Sequence, residues 1–210
     1  MKNIVLILFL AIGLNFAHAQ DDYNDNEVQT IFSKKGENGG YGALTFGYSK
    51  IDGHDAFISG ARGAFIFNHS FAIGLGGYSF INNLDHDAYT DKNQIEYSLA
   101  GGYGGIIFEP IFRGTRPIHL SFPILIGGGG VAIVENYGIN HWENHPSNDL
   151  DNDLYFVIEP ALELEFNFTK WFRTAAFFSY RFTSKIDLYE TKESVLRGFN
   201  FGLTFKFGKF

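Results

Sequence analysis

The sequence predicts an all-β fold, an eight-stranded antiparallel up-and-down transmembrane β-barrel. Three observations lead there. From Tyr41 onward the apolar residues recur at every second position, which is the period of a strand. The runs are long, and a tilted strand needs about 9–11 residues to cross a membrane. The chain is also rich in side chains that a soluble protein hides: 24 Phe and 11 Tyr among 210 residues. Its mean hydropathy is nevertheless only −0.05. A greasy face averaged with a polar one produces such a value.

Composition removes several other classes. Zero Cys excludes a disulfide scaffold, a cysteine zinc site and a thiol nucleophile. The net charge of −7 is the wrong sign for a nucleic-acid binder, so no nucleic-acid partner is expected. The aromatic content argues against disorder.

Residues 1–19 read as a secretory signal peptide. Lys2 is the positive end, Ile4 to Leu14 the apolar run, and Ala17-His18-Ala19 the small-x-small cleavage pattern. The run is too short to span a bilayer as a helix. No Cys follows it for lipid attachment. Residues 20–40 are polar and first acidic, and are expected to form a flexible periplasmic segment ahead of a barrel over residues 41–210.

Eight strands are expected over 41–50, 55–67, 70–81, 94–108, 117–134, 153–168, 171–184 and 195–207. In the first, Leu44, Phe46 and Tyr48 oppose Ala43, Thr45 and Gly47. In the second both faces are apolar, and Arg62 decides the phase. A charge facing lipid at the membrane midplane costs about 2–4 kcal/mol, so Arg62 turns inward and Phe57, Phe65 and Phe67 outward. In the third, Phe71, Ile73 and Leu75 face out, but Tyr78 and Phe80 break the phase. A bulge near Gly76-Gly77 would account for this. In the fourth, Ile95, Tyr97, Leu99 and Tyr103 are taken as outward, against Glu96, Ser98 and Gly102. In the fifth, Ile118, Leu120, Phe122, Ile124 and Ile126 oppose His119 and Ser121, with Pro123 and Leu125 as exceptions.

The sixth strand is the clearest. Leu154, Phe156, Ile158, Pro160, Leu162, Leu164, Phe166 and Phe168 share one face, while Glu159, Glu163 and Glu165 lie on the other. The seventh sets Phe172, Phe178 and Phe182 against Arg173, Ser179 and Arg181. The eighth sets Phe199, Phe201, Leu203, Phe205 and Phe207 against Asn200, Thr204 and Lys206.

The connections alternate in length. Asn68-His69-Ser70 and Thr169-Lys170 are tight turns, and Glu109 to Arg116 is a medium link. Asn82 to Asn93, Glu135 to Asn152 and Lys185 to Ser194 are long. Outer-membrane barrels have short periplasmic turns and long outward loops. Both termini are therefore expected in the periplasm and the long loops outside the cell.

Three stretches carry a resemblance. They are Tyr41-Gly42-Ala43-Leu44-Thr45, then Asn68 to Tyr78, then Glu159 to Arg173 with Ser179-Tyr180-Arg181-Phe182. Together they resemble the small outer-membrane β-barrel proteins of bacteroidete-type bacteria, similar in shape to the OmpX and OmpA membrane domains. The resemblance implies the fold and an outer-membrane location in a Gram-negative cell. It implies no active site. It also implies a C-terminal aromatic residue read by the barrel-assembly machinery, which Phe210 supplies. Strict alternation turns Phe210 inward, because Phe205 and Phe207 face out.

A barrel of eight strands is just wide enough for side chains to fill it. The expected lumen charges are Arg62, Glu96, Glu159, Glu163, Glu165, Arg173, Arg181 and Lys206. Buried charges must pair, so they are read as a network that closes the lumen. Across the tight hairpin, Glu163 and Glu165 neighbour Arg173 and are near Arg181. In the loops, Asp85, Asp87 and Asp91, then His141 and His145, then Asp149, Asp151 and Asp153 are weak candidates for divalent ions. None has a full motif spacing, and no cofactor is expected. Ser184, Ser194, His54, His86, Glu190 and Glu193 could lie near the outer rim, but no nucleophile–base spacing stands out.

The chain thus reads as a non-enzymatic outer-membrane barrel with a structural or interaction role. Its expected partners are outer-membrane lipid and lipopolysaccharide, the assembly machinery, and a larger outer-membrane complex. The alternatives are a small porin-like channel, an accessory subunit and a lipid-modifying enzyme.

Overall fold

The computed structural model describes residues 38–82, 96–136, 151–188 and 191–210, with backbone alone at 96, 97, 135 and 136. Nine strand segments form one antiparallel sheet: β1 (Gly39–Ile51), β2 (His54–Phe67), β3 (Phe71–Asn82), β4 (Glu96–Phe112), β5 (Ile118–Ser121), β6 (Ile124–Asn136), β7 (Asp151–Asn167), β8 (Phe172–Thr183) and β9 (Gly198–Lys209). Neighbours in the chain pair with each other, except that β5 and β6 lie end to end between β4 and β7, and β9 pairs back onto β1. The ring of hydrogen bonds is closed, so no strand has a free edge.

β5 and β6 are one strand interrupted by a proline. Leu120 opposes Leu164 and Ile124 opposes Pro160 on β7, which is the same register on both sides of the break. Pro123 has no N–H to give the ladder. Its carbonyl still accepts the Ala161 amide at 2.8 Å. The barrel therefore has the eight strands the alternation predicts. Following the paired positions from Gly42 through Gly63, Leu75, Ile106, Ile126, Ile158 and Phe182 and on across β9 returns to β1 roughly ten residues further along. For eight strands that stagger tilts them by about 40°.

The turns agree with their sequences. Asp52-Gly53, a two-residue loop, and Asn68-His69, the centre of the turn closed by the Ser70 amide on the Phe67 carbonyl, each place two residues at positive φ, as a type I′ turn requires. The turns at 68–70, 113–117 and 168–171 lie at the same end as Gly39 and Phe210, called here the turn end. The connections 83–95, 137–150 and 184–197 join strands at the opposite, loop end.

Side chains alternate across the wall. The outer face carries Phe46, Phe57, Phe65, Phe156, Phe178, Phe182, Phe199, Phe201 and Phe207, all well exposed. The lumen takes Arg62, Glu163, Glu165, Arg173, Arg181 and Lys206, none more than 6% exposed. This is the inside-out pattern read from β2, β7, β8 and β9.

Two phases differ from expectation. β3 has no bulge: its registers to β2 and β4 run unbroken through Gly76 and Gly77. Phe80 is simply lumenal, at 3% exposure, and Tyr78 shares its side. Glycines opposite make the room. A Cβ on Gly60 would meet the Tyr78 ring at 2.3 Å, and one on Gly101 the Phe80 ring at 2.7 Å. β4 is inverted. Leu99, Tyr103, Ile107, Glu109 and Ile111 are buried in the lumen, while Ile106 and Phe112 are exposed. The side chain of Glu96, expected in the lumen, lies outside the described residues. Glu109, taken above as part of a link, is a strand residue and a lumenal one.

Candidate functional site

The lumen is filled by two polar layers and an apolar cap. The layer at the turn end is built around Lys206. On β1, Ala43 pairs with Arg62 of β2 on one side and Lys206 of β9 on the other. A methyl group between them leaves both long cations free to reach the barrel axis. On the far wall β5 pairs with β7, setting His119 beside Glu165 and Ser121 beside Glu163. The ammonium of Lys206 then lies 2.6 Å from Glu109, 2.8 Å from Glu163 and 2.6 Å from Glu165. Arg62 Nη2 donates to both oxygens of Glu163 at 2.7 Å. Arg173 donates to Glu165 at 3.4 Å and to the Gly114 carbonyl at 3.2 Å. The Tyr41 hydroxyl bonds Glu109, and His119 Nε2 lies 3.1 Å from Glu165. Three carboxylates, Glu109, Glu163 and Glu165, meet three basic side chains, Arg62, Arg173 and Lys206. Such a network is tolerable in a low-dielectric interior only when every charge is matched.

The described residues bring one trio of acids within metal-binding reach of one another: Glu109, Glu163 and Glu165. Lys206 contacts all three. An ammonium thus takes the place a cation would need.

The floor below this layer is aromatic. The Phe210 ring lies 3.9 Å from the Arg173 guanidinium carbon and stacks on Tyr41 at 6.1 Å between centroids. The chain end thus turns inward, as the alternation required. Asn167 Nδ2 bonds the Arg116 carbonyl at 2.7 Å and ties the 113–117 turn to the same end.

The second layer centres on Glu159, which accepts from Tyr103 at 2.6 Å, Ser179 at 2.6 Å and Asn200 at 3.0 Å. Arg181 does not join the acids of the hairpin. Its Nε donates to the Leu196 carbonyl at 2.7 Å, and its guanidinium carbon sits 5.1 Å and 5.4 Å from the Phe80 and Tyr103 ring centres. Between the layers lies a cavity of about 30 Å³.

At the loop end the connection after β8 folds over the lumen. Ile186, Leu188, Val195 and Leu196 are buried against Ile51, Ala56, Val131 and Val157. The Ser184 amide bonds the Phe156 carbonyl at 3.0 Å, and Arg197 Nε bonds the Thr183 carbonyl at 2.9 Å. Asp153 accepts the amides of Leu154 and Asp187, both at 2.8 Å. The strand expected from residue 195 begins only at Gly198, and the connection before it turns apolar residues into the lumen. The apolar Ile186, Leu188, Val195 and Leu196 were its signal.

Of the predicted site residues, Arg62, Glu163, Glu165, Arg173 and Lys206 converge in the first layer. Glu159 and Arg181 belong to the second. Sequence reasoning missed Glu109, His119, Ser121 and Tyr41 as members. Asp153, a weak candidate for a divalent ion, accepts two backbone amides. Asp151 opens β7 opposite Ile133. Asp85, Asp87, Asp91, His141, His145 and Asp149 lie outside the described residues, as do His86 and Glu190. At the rim, Ser184 Oγ accepts the Phe156 amide and Glu193 pairs with Lys185 at 2.7 Å.

No family model matches the sequence, and no curated protein matches it. Among solved structures, Neisserial surface protein A aligns over 82% of this chain and 97% of its own, with a TM-score of 0.56 at 8% identity. The fold is that of the small outer-membrane barrels. Two further barrels of the OmpX/OmpA type align over 82% of this chain. Ail of Yersinia pestis, solved with a heparin analogue, does so at 14% identity, TM-score 0.48 and 99% of its length. The N-terminal barrel domain of Pseudomonas aeruginosa OprF does so at 12% identity, TM-score 0.42 and 98% of its length.

Proposed function

We propose that the protein resides in the outer membrane of a Gram-negative cell as a barrel closed to ions, with a structural or interaction role. The observation that carries this reading is the filled lumen: a compensated charge layer around Lys206 at one end and a cap of buried Ile186, Leu188, Val195 and Leu196 at the other. A hydrated ion passing through would have to part the Lys206 pairs and then the cap. Both are costly, since breaking one buried pair alone takes about 3–5 kcal/mol.

In this reading residues 1–19 direct export and are removed. The termini and tight turns face the periplasm, and the long connections face outward. The phenylalanine wall contacts lipid, and the outer rim contacts lipopolysaccharide. The assembly machinery reads the aromatic end of β9 with Phe210, and the long loops contact a partner within a larger complex. In this reading no chemistry takes place at the rim.

The test is electrical. Purified protein in a planar bilayer should give no steady current above the bare membrane. Reproducible unitary currents that change on Lys206 substitution would overturn the closed lumen and restore the channel. Fractionation of cells expressing the full chain should recover it with the outer membrane, and recovery in a soluble fraction would overturn the location.

A further inference from the structure

We infer that the cavity between the two polar layers is a built hydration site, and that the water it binds joins those layers into one hydrogen-bonded unit. The cavity is lined by Thr45, Arg62, Tyr78, Glu159, Glu163, Ser179 and Thr204, with Ile107, Leu125, Ala161 and Phe177 among the apolar walls. Its volume of about 30 Å³ exceeds the roughly 10–15 Å³ one water requires. Size alone would not fill it, because apolar cavities stay dry. Here the chemistry points to an occupant.

Arg62 is 6% exposed, and its Nε is a buried donor with no partner among the described residues. Such a donor costs about 1–3 kcal/mol if left unmatched. The Thr45 and Thr204 hydroxyls bond each other at 3.0 Å, which uses one of their two protons and leaves one O–H to give. The carboxylates of Glu159 and Glu163 offer lone pairs beyond the bonds they already accept. The residues that carry these donors and acceptors line the same small space. An anion would be repelled by two carboxylates, and a cation by the Arg62 guanidinium. Water alone can accept from Arg62 Nε and a threonine while donating to a glutamate. The inference does not depend on whether the lumen conducts.

Two measurements test it on the folded barrel in detergent micelles. The first is magnetisation transfer from water to the Thr45 and Thr204 amides and hydroxyls, which should show a long-lived bound water. The second is the urea midpoint of Ala161→Val, which adds methyl groups at the cavity wall. Filling a dry cavity raises the midpoint, and valine also suits a strand better than alanine. Expelling a bound water strands Arg62 Nε, so the midpoint should fall and the water signal should vanish. Absence of the signal in the wild-type protein, or a raised midpoint in the variant, would overturn the proposal. A fall without that wild-type signal is overpacking, and overturns it as well. Should Ala161→Val fail to fold, the wild-type measurement decides alone.

Discussion

Lys206→Met removes the one ammonium that three buried carboxylates share. The pairs are 2.6, 2.8 and 2.6 Å long. At an effective dielectric of about 20, a pair at that separation is worth roughly 6 kcal/mol before desolvation is subtracted. Most of this gross figure is offset, because the wild-type barrel pays to strip water from the ammonium. What remains is the cost of leaving acids unmatched. Glu163 keeps Arg62 at 2.7 Å and Glu165 keeps Arg173 at 3.4 Å, but among the described residues Glu109 retains only the Tyr41 hydroxyl. Breaking a buried pair costs about 3–5 kcal/mol, and the variant should lie in the upper part of that range. Adding Glu109→Gln restores the balance of two acids against Arg62 and Arg173. The double variant should therefore be more stable than the sum of its parts by about 2 kcal/mol. The assay is urea unfolding in lipid vesicles, followed by the tryptophan emission to which the exposed Trp171 contributes and by the gel shift between folded and boiled protein. A single variant within about 0.5 kcal/mol of wild type, the range of a surface change, would refute the reasoning, as would strict additivity in the pair.

Other perturbations separate the wall from its contents. Leu75→Arg puts a charge on an outward position that is 67% exposed and should cost about 2–4 kcal/mol in vesicles if that position lies near the midplane. Gly60→Val should lose about 1–3 kcal/mol by overpacking, because its Cβ would meet the Tyr78 ring at 2.3 Å. Asp153→Ala frees the Asp187 amide, so protease should nick residues 184–197 faster while the rest of the barrel stays intact. Glu193→Gln breaks only an exposed pair with Lys185, and the unfolding midpoint should move by less than about 1 kcal/mol.

Much of this architecture was legible because lipid forces the two faces of a strand apart. On β7 the acids Glu159, Glu163 and Glu165 alternate with Phe156, Leu162 and Leu164, so parity alone places every side chain. On β2 a single charge, Arg62, set the phase, and it did so correctly. β4 misled because both of its parities are apolar or glycine, and aromatic rings were assumed to face lipid. Tyr103 instead turns inward over Gly129, whose missing side chain leaves the space. The same rule that placed Arg62 would have corrected the strand had Glu109 been counted within it. The pairing of charges was less legible. Lys206 and Glu109 are 97 residues apart, and which acids meet which cations depends on the stagger of the whole barrel. Arg181 shows this: parity placed it in the lumen, but its partner is the Leu196 backbone carbonyl, in a stretch read as the start of the eighth strand.

The central claim is the inside-out alternation around a closed ring of eight strands. The chain has no native cysteine, so single cysteines can be labelled without background. A fluorophore carried in turn along 154–158 of β7 and 105–108 of β4, with the protein in vesicles containing lipid-borne quencher, tests the claim directly. The account predicts strong quenching at 154, 156 and 158 and at 106 and 108, and weak quenching at 155, 157, 105 and 107. Loss of alternation on β7 would contradict the barrel, and quenching at 107 in place of 106 would contradict the phase of β4 on which the Glu109–Lys206 pairing depends.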